Sequence, residues 1–204
     1  MNVGGKELSV RGWLVRRAAL AADGYVFVDD PAAAIAELGA RRHRVDLFTF
    51  AQDLPDTAPL YPYPMECDNV AAVPVSTFEH WCTRQIKDKT RNRLRHAWRS
   101  GVMVREVPFD DVLVRGIAAI YNESAARQGR RFKHHGKPLD AVRRENATFL
   151  DQSVFLGAFL GDELIGFAKL VKARRQAGFM QIIAKMAHRD KSPTNALVAS
   201  AVAV

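Results

Sequence analysis

Cysteine is scarce, with only Cys67 and Cys82 in 204 residues. Two thiols exclude a disulfide framework. A four-ligand zinc site needs more thiols, or histidines at ligand spacing, which Cys67 lacks, so no metal site is expected. Long apolar runs are missing too: none approaches the ~20 residues of a membrane span. Met1 to Val15 lacks the charged-then-apolar pattern of a secretory signal. No repeat or low-complexity tract interrupts the chain, and a soluble, cytoplasmic protein is expected. Acidic residues are in deficit, 22 Asp and Glu against 30 Lys and Arg, for a net charge of +8. That balance favours anionic partners: nucleic acid, phosphorylated cofactors or an anionic membrane. The remainder is ordinary, 48% hydrophobic and 25% charged, as in globular domains.

The first half reads as a β-rich subdomain, residues 1–76. Leu8–Val15 and Tyr25–Val28 carry strand-forming residues, with Asp23-Gly24 as a turn signal between them. Asp30 caps a helix that Pro31 opens and Gly39 ends. Val45–Phe50 is a further strand. The stretch AQDLPDTAPLYPYPMECDN holds four prolines, which remove backbone donors and predict an ordered connector. Val70–Val75 resumes a strand.

Residues 77–101 read as basic connecting helices. Ser76 or Thr77 caps the first, with Glu79 near a capping-box position. Phe78, Cys82, Ile86, Leu94 and Trp98 form an i, i+4 series widened by Trp81 and Ala97. A break near Asp88 to Thr90 and a stop at Gly101 are expected. Arg91, Arg93, Arg95 and Arg99, with Lys87 and Lys89, are the densest charge in the chain. They spread around the helix, which predicts a solvated element anchored by Leu94 and Trp98. The functional alternative for these arginines is contact with RNA or another polyanion.

From residue 102 the elements run strand, two helices, three strands, loop, helix. Val102–Val107 is the first strand. Asp110 or Asp111 caps a helix carrying Leu113, Ile117, Ile120 and Tyr121. RQGRRFKHHGK is a basic loop, and Pro138 opens a helix with Leu139, Val142 and Phe149 inward. Ser153–Leu160, Leu164–Val171 and Phe179–Met186 are strands joined by the turns Gly161-Asp162 and KARRQAG. A loop from His188 to Pro193 leads to a helix near Thr194.

This order resembles the front half of a GNAT-superfamily N-acyltransferase domain. DKTRNRLRHAWRSGVMVREV is similar to the entry to the second domain of Fem-type transferases, and FLGAFLGDELIGFAKLV to the hairpin of that fold. HRDKSPTNAL stands where the family places its cofactor-pyrophosphate loop, with Ser192, Pro193, Thr194 and Asn195 in place of the usual glycines. IYNES, RQG and HRDK.PTNAL resemble stretches of an uncharacterised bacterial GNAT-like group. The resemblance covers Arg91 to Val204. It implies an α/β (α+β) fold, a mixed sheet flanked by helices, with residues 102–204 a partial acyltransferase domain. It also implies further strands and a helix beyond Val204. On that basis the chain is expected to be incomplete, poorly active alone, and prone to self-associate through an open sheet edge.

Acyl or aminoacyl transfer to an amine is the expected activity, with acyl-CoA or aminoacyl-tRNA as co-substrate and no tightly bound cofactor. A nucleic-acid-binding module and a non-catalytic domain of the same descent are the alternatives. His188, Arg189 and Lys191, with Ser192, Thr194 and Asn195, surround a helix N-terminus, where unpaired N–H groups and the dipole favour phosphate. The resemblance lays the acyl carbonyl along Gln181 to Lys185, with Gln181, Ile183 and Lys185 as contacts and backbone N–H groups to hold an oxyanion. It assigns Tyr121, Asn122, Arg127, Gln128 and Arg131 to the acceptor groove. Glu123, in the same segment, is the candidate catalytic residue to take a proton from the incoming ammonium, directly or through water. Without the resemblance, the loop before the last helix reads as a capped surface helix with solvated charges, and the acceptor-side segment as a solvated helix end with a basic loop.

Overall fold

The computed structural model describes residues 1–21, 24–41, 44–54 and 56–204. The chain is mixed α and β, in two compact units. The first holds Met1–Asn69 with Ala173–Gln176, and the second holds Val70–Lys172 with Ala177–Val204.

The first unit is a small sheet in the order β1 (Asn2–Val3), β2 (Lys6–Arg11), β3 (Arg17–Leu20) and β4 (Leu47–Thr49), with helix α1 (Pro31–Gly39). β2 pairs antiparallel with β1 and β3, and β4 runs parallel to β3. Val3, Leu8, Ala18 and Leu20 bury against Ala34 and Leu38 of α1. Asp30 caps α1 through the Ala33 N–H at 2.9 Å, with Pro31 in the first turn, as the sequence predicts. The expected strand over Leu8–Val15 stops at Arg11, and Trp13–Val15 form a loop. Tyr25–Val28 has only an isolated bridge at Val26. Of the expected Asp23-Gly24 turn, Asp23 lies outside the described residues. The proline-rich connector is irregular but anchored. The Gln52 amide donates to the carbonyls of Asp56 and Ala58 at 2.7 and 2.8 Å, and Tyr61 packs edge-on to Phe50.

In the second unit Val70–Val75 is exposed and unpaired, not a strand. A β-branched run makes a strand only where a neighbour can hydrogen-bond to it. Helix α2 (Phe78–His80), capped by Thr77, continues as a π-helical turn over Trp81–Gln85, and Ile86 is extended. Helix α3 (Asp88–Arg99) follows and ends at Gly101, whose φ of +81° suits glycine. Then come β5 (Val102–Glu106), α4 (Asp111–Asn122), the two-residue strands β6 (Ala126–Arg127) and β7 (Arg130–Arg131), and α5 (Leu139–Asn146). Strands β8 (Ser153–Leu160), β9 (Glu163–Ala173) and β10 (Gln176–Ala184) lead through a 3-10 turn (Met186–Lys191) to α6 (Pro193–Ala203).

The main sheet runs β10-β9-β8-β5, with β10 at one edge among the described residues. Strand alternation divides its side chains between two cores. Leu156, Ala158 and Leu170 pack with Ala97 of α3 and Leu197 of α6. Phe155 and Phe167 pack with Val114, Ile117 and Tyr121 of α4 and with Val142 of α5. The pairing shifts register where Ala158 faces Gly166 and Phe159 faces Leu164. This bulge at Ile165 turns its side chain into the α3–α6 core while Phe167 stays in the other. Two expected anchors are corrected. Trp98 is 51% exposed, and the buried stripe runs through Trp81, Leu94 and Ala97 instead. Leu139, expected inward, is 43% exposed.

Candidate functional site

The C-terminal end of α4 brings the sequence-predicted Tyr121 against Gln181 of β10. The Tyr121 ring is fully buried, and its hydroxyl donates to the Gln181 side-chain oxygen at 2.6 Å. His134 stacks beside Tyr121 at 4.6 Å between centroids and lies 3.5 Å from the Gln181 amide nitrogen. On its other side His134 Nδ1 is 3.1 Å from Lys137 Nζ and 3.5 Å from a Glu145 oxygen, and Lys137 and Glu145 pair at 2.5 Å. Burial, and then the nearby Lys137 and Lys133 ammoniums, push the imidazole below its ordinary range despite Glu145. Folding therefore favours the neutral ring. The unfolded chain takes up a proton first as pH falls through about 6.5, so stability must decline on acidification below that value. Unfolding titrations across this window are expected to show that slope in the parent protein and a shallower one in His134→Gln.

Glu123 is not an open base. Its two carboxylate oxygens accept the backbone N–H groups of Met186 and Ala187 at 2.6 and 2.8 Å, and Arg127 approaches at 3.4 Å. It is the internal anion at the start of the 3-10 turn, filling donors that the turn would otherwise offer to a ligand. Arg127 is similarly engaged. It donates to the carbonyls of Ala184 and Ile120 at 2.7 and 3.0 Å and lies over the Phe132 ring. The Asn122 side chain accepts the Gly136 N–H at 2.8 Å. Gln128 sits at φ +51° in the exposed turn between β6 and β7, and Arg131 is exposed beside it. Of the predicted acceptor residues, Tyr121 and Arg127 therefore converge on β10, whereas Asn122, Gln128 and Arg131 do not.

Along β10 the donors alternate. The Lys185 N–H donates to Ile165 of β9 at 2.8 Å, while the Ala184 carbonyl faces away and meets Arg127. By strand alternation the outward N–H groups belong to Ile182 and Ala184. They are one residue out of phase with Gln181, Ile183 and Lys185. The Lys185 ammonium and the His188 imidazole both meet Glu163, at 2.6 and 3.2 Å. Arg189 is exposed, and Lys191 pairs with Asp190 at 3.0 Å. Ser192 takes a left-handed φ of +55° and does not cap α6 with its side chain. Asn195 donates its N–H back to the Ser192 carbonyl at 3.0 Å, and the Thr194 side chain is exposed. The basic character of this junction thus rests on Arg189 and Lys191.

Two features escape sequence reasoning. Lys169 in β9 is fully buried, donating to the carbonyls of Asn146 and Thr148 and, at 2.9 Å, to the Thr148 hydroxyl. Among the described residues no carboxylate pairs with it, and burial pushes its pKa down to about 8. A lone lysine inside the apolar run of LIGFAKLV is the signal for it. The other is Arg91, whose guanidinium caps the end of the π-helical turn at the carbonyls of Cys82, Thr83 and Ile86 and pairs with Asp88. Arg93, Arg95 and Arg99 remain exposed.

No protein-family model matches the chain, and no curated protein is significantly similar to it.

Proposed function

We propose that the second unit is an N-acyltransferase domain of GNAT or Fem type. The observation that supports this reading is the β5-α4-α5-β8-β9-β10-loop-α6 order on a sheet running β10-β9-β8-β5. The order of elements is the one on which the sequence resemblance rests. In this reading the acyl donor lies along the open edge of β10 with its phosphates toward Arg189, Lys191 and the start of α6. An amine nitrogen attacks the acyl carbonyl, and the oxyanion is held by the outward N–H groups of Ile182 and Ala184. The carbon–sulfur or carbon–oxygen bond to the carrier then breaks, and the leaving group takes a proton from solvent. Glu123 positions the loop. Both of its oxygens are engaged by Met186 and Ala187, and in this reading the ammonium proton passes to water. The test is calorimetric titration with acetyl-CoA. Arg189→Glu with Lys191→Glu is expected to weaken binding by about 10- to 100-fold, as loss of charge-assisted phosphate contacts requires. Unchanged affinity would remove the loop from the site.

Nucleic-acid binding is the second reading, and one observation favours it. Trp98 is half exposed, one turn from Arg95 and adjacent to Arg99, both exposed. An aromatic face among exposed arginines suits stacking and phosphate contact. Affinity for single-stranded RNA is then expected to fall steeply with salt, and Arg95→Glu with Arg99→Glu to flatten that slope by about two contacts. Arg91 is excluded from this set because its guanidinium is engaged. Binding without salt dependence would leave α3 a solvated helix.

A further inference from the structure

Trp13 and Leu14, the two most exposed large apolar side chains among the described residues, are consecutive, and exposed Val15 follows them. Trp13, Leu14 and Val15 are 92, 77 and 57% exposed at the tip of the β2–β3 hairpin, within the first unit. The tip is built, not frayed. Gly12 holds φ +101°, and a side chain there would meet the Val15 carbonyl oxygen at 2.0 Å, so only glycine closes the loop this tightly. Its base is clamped, because Arg16 and Asp46 exchange hydrogen bonds at 2.9 Å, backbone N–H to carboxylate and N–H to carbonyl.

Below the tip, Arg11 and Arg17 stand directly opposite each other across the β2–β3 ladder. Like charges in that position repel. Both are exposed, and neither has a carboxylate partner among the described residues. With Ser9 and Ala19, the next pair along the same face, they line a shallow cleft. Two opposed guanidiniums and a hydroxyl around a cleft suit a phosphate oxygen, which would relieve the repulsion.

We propose that this hairpin docks the protein onto an anionic lipid bilayer. Trp13, Leu14 and Val15 enter the headgroup–acyl boundary, and Arg11 and Arg17 hold lipid phosphates. Vertical order argues for a bilayer: the apolar residues lie at the tip and the cations one step behind. That sequence matches an apolar interior beneath an anionic surface. A protein groove needs no such collar, and a nucleic acid offers nowhere for Leu14 and Val15 to be buried. The surface belongs to the first unit and is independent of the acyl-transfer reading.

The test uses the full chain with vesicles of phosphatidylcholine alone and of phosphatidylcholine mixed with phosphatidylglycerol, read by co-sedimentation. Binding is expected to the mixed vesicles, to weaken with salt, and to be slight on phosphatidylcholine. Trp13→Ala with Leu14→Ala is expected to lower partition by at least about tenfold, and Arg11→Glu with Arg17→Glu by about 25-fold or more, about fivefold per arginine. A blue shift of tryptophan emission on binding should vanish in Trp13→Phe, which still binds. All substituted side chains are exposed, and unchanged thermal unfolding establishes that each variant folds. Absence of binding to mixed vesicles would overturn the proposal, as would binding indifferent to both pairs of substitutions. If the same substitutions instead abolished binding to single-stranded RNA, or self-association in light scattering, with vesicles ignored, the hairpin would belong to that partner.

Discussion

Lys169→Ala is expected to destabilise the second unit by roughly 2–5 kcal/mol, whereas Lys169→Met is expected to be nearly neutral. Opposing effects decide the difference. With its pKa pushed down to about 8, the buried ammonium disfavours folding by on the order of 3 kcal/mol at neutral pH. Either substitution removes that penalty. Either also leaves the carbonyls of Asn146 and Thr148 without their donor, at about 1–3 kcal/mol for each carbonyl kept from water. Methionine keeps the packing against Phe155, while alanine adds a cavity of several methylenes. The pH dependence separates the explanations further. Between about pH 8 and the unfolded value of about 10.4, the unfolded chain holds a proton that the folded one has lost. Stability must therefore rise with pH across that window. Denaturant unfolding at a series of pH values should show the rise in the parent protein and not in Lys169→Met. A flat parent profile would mean that the three acceptors keep the amine charged.

Glu123→Ala is expected to open the turn after β10 without unfolding the sheet. The substitution removes two charge-assisted bonds to Met186 and Ala187 and the carboxylate facing Arg127. The freed amides lie near solvent, which offsets part of the loss. A local destabilisation of about 1–3 kcal/mol is expected, speeding amide exchange at both positions by roughly 10- to 100-fold. Glu123→Gln keeps one acceptor oxygen and should fall between. Unchanged exchange in Glu123→Ala would show that the turn holds its shape without the carboxylate. A variant with unchanged exchange but abolished acyl transfer would return Glu123 to proton transfer.

Local signals in the sequence foresee the elements that local chemistry decides. Asp30, Thr77 and Asp110 cap helices where expected, Gly101 stops α3, and the three-strand meander lies at Ser153–Leu160, Glu163–Ala173 and Gln176–Ala184. The failures are long-range. The i, i+4 series carried across the expected break near Asp88 to Thr90 predicts that Trp98 is buried, but the π-helical turn and the extended Ile86 reset the helical phase, so Trp81, Leu94 and Ala97 face inward. Val70–Val75 has strand composition without a partner. The donor parity of β10 follows from which carbonyl Lys185 meets in β9, which no pattern within β10 reveals. Glu123 reads as a solvated helix end or a base until residues 63 and 64 positions away are brought to it.

Backbone exchange along β10 tests the acyltransferase reading most directly. Hydrogen–deuterium exchange of the full chain, with and without acetyl-CoA, reports which amides the donor covers. Protection is predicted at Ile182 and Ala184 and across the loop from Arg189 to Thr194, with α3 and the first unit unchanged. Protection confined to α3, or none at concentrations that saturate calorimetric binding, would contradict a donor site on the β10 edge.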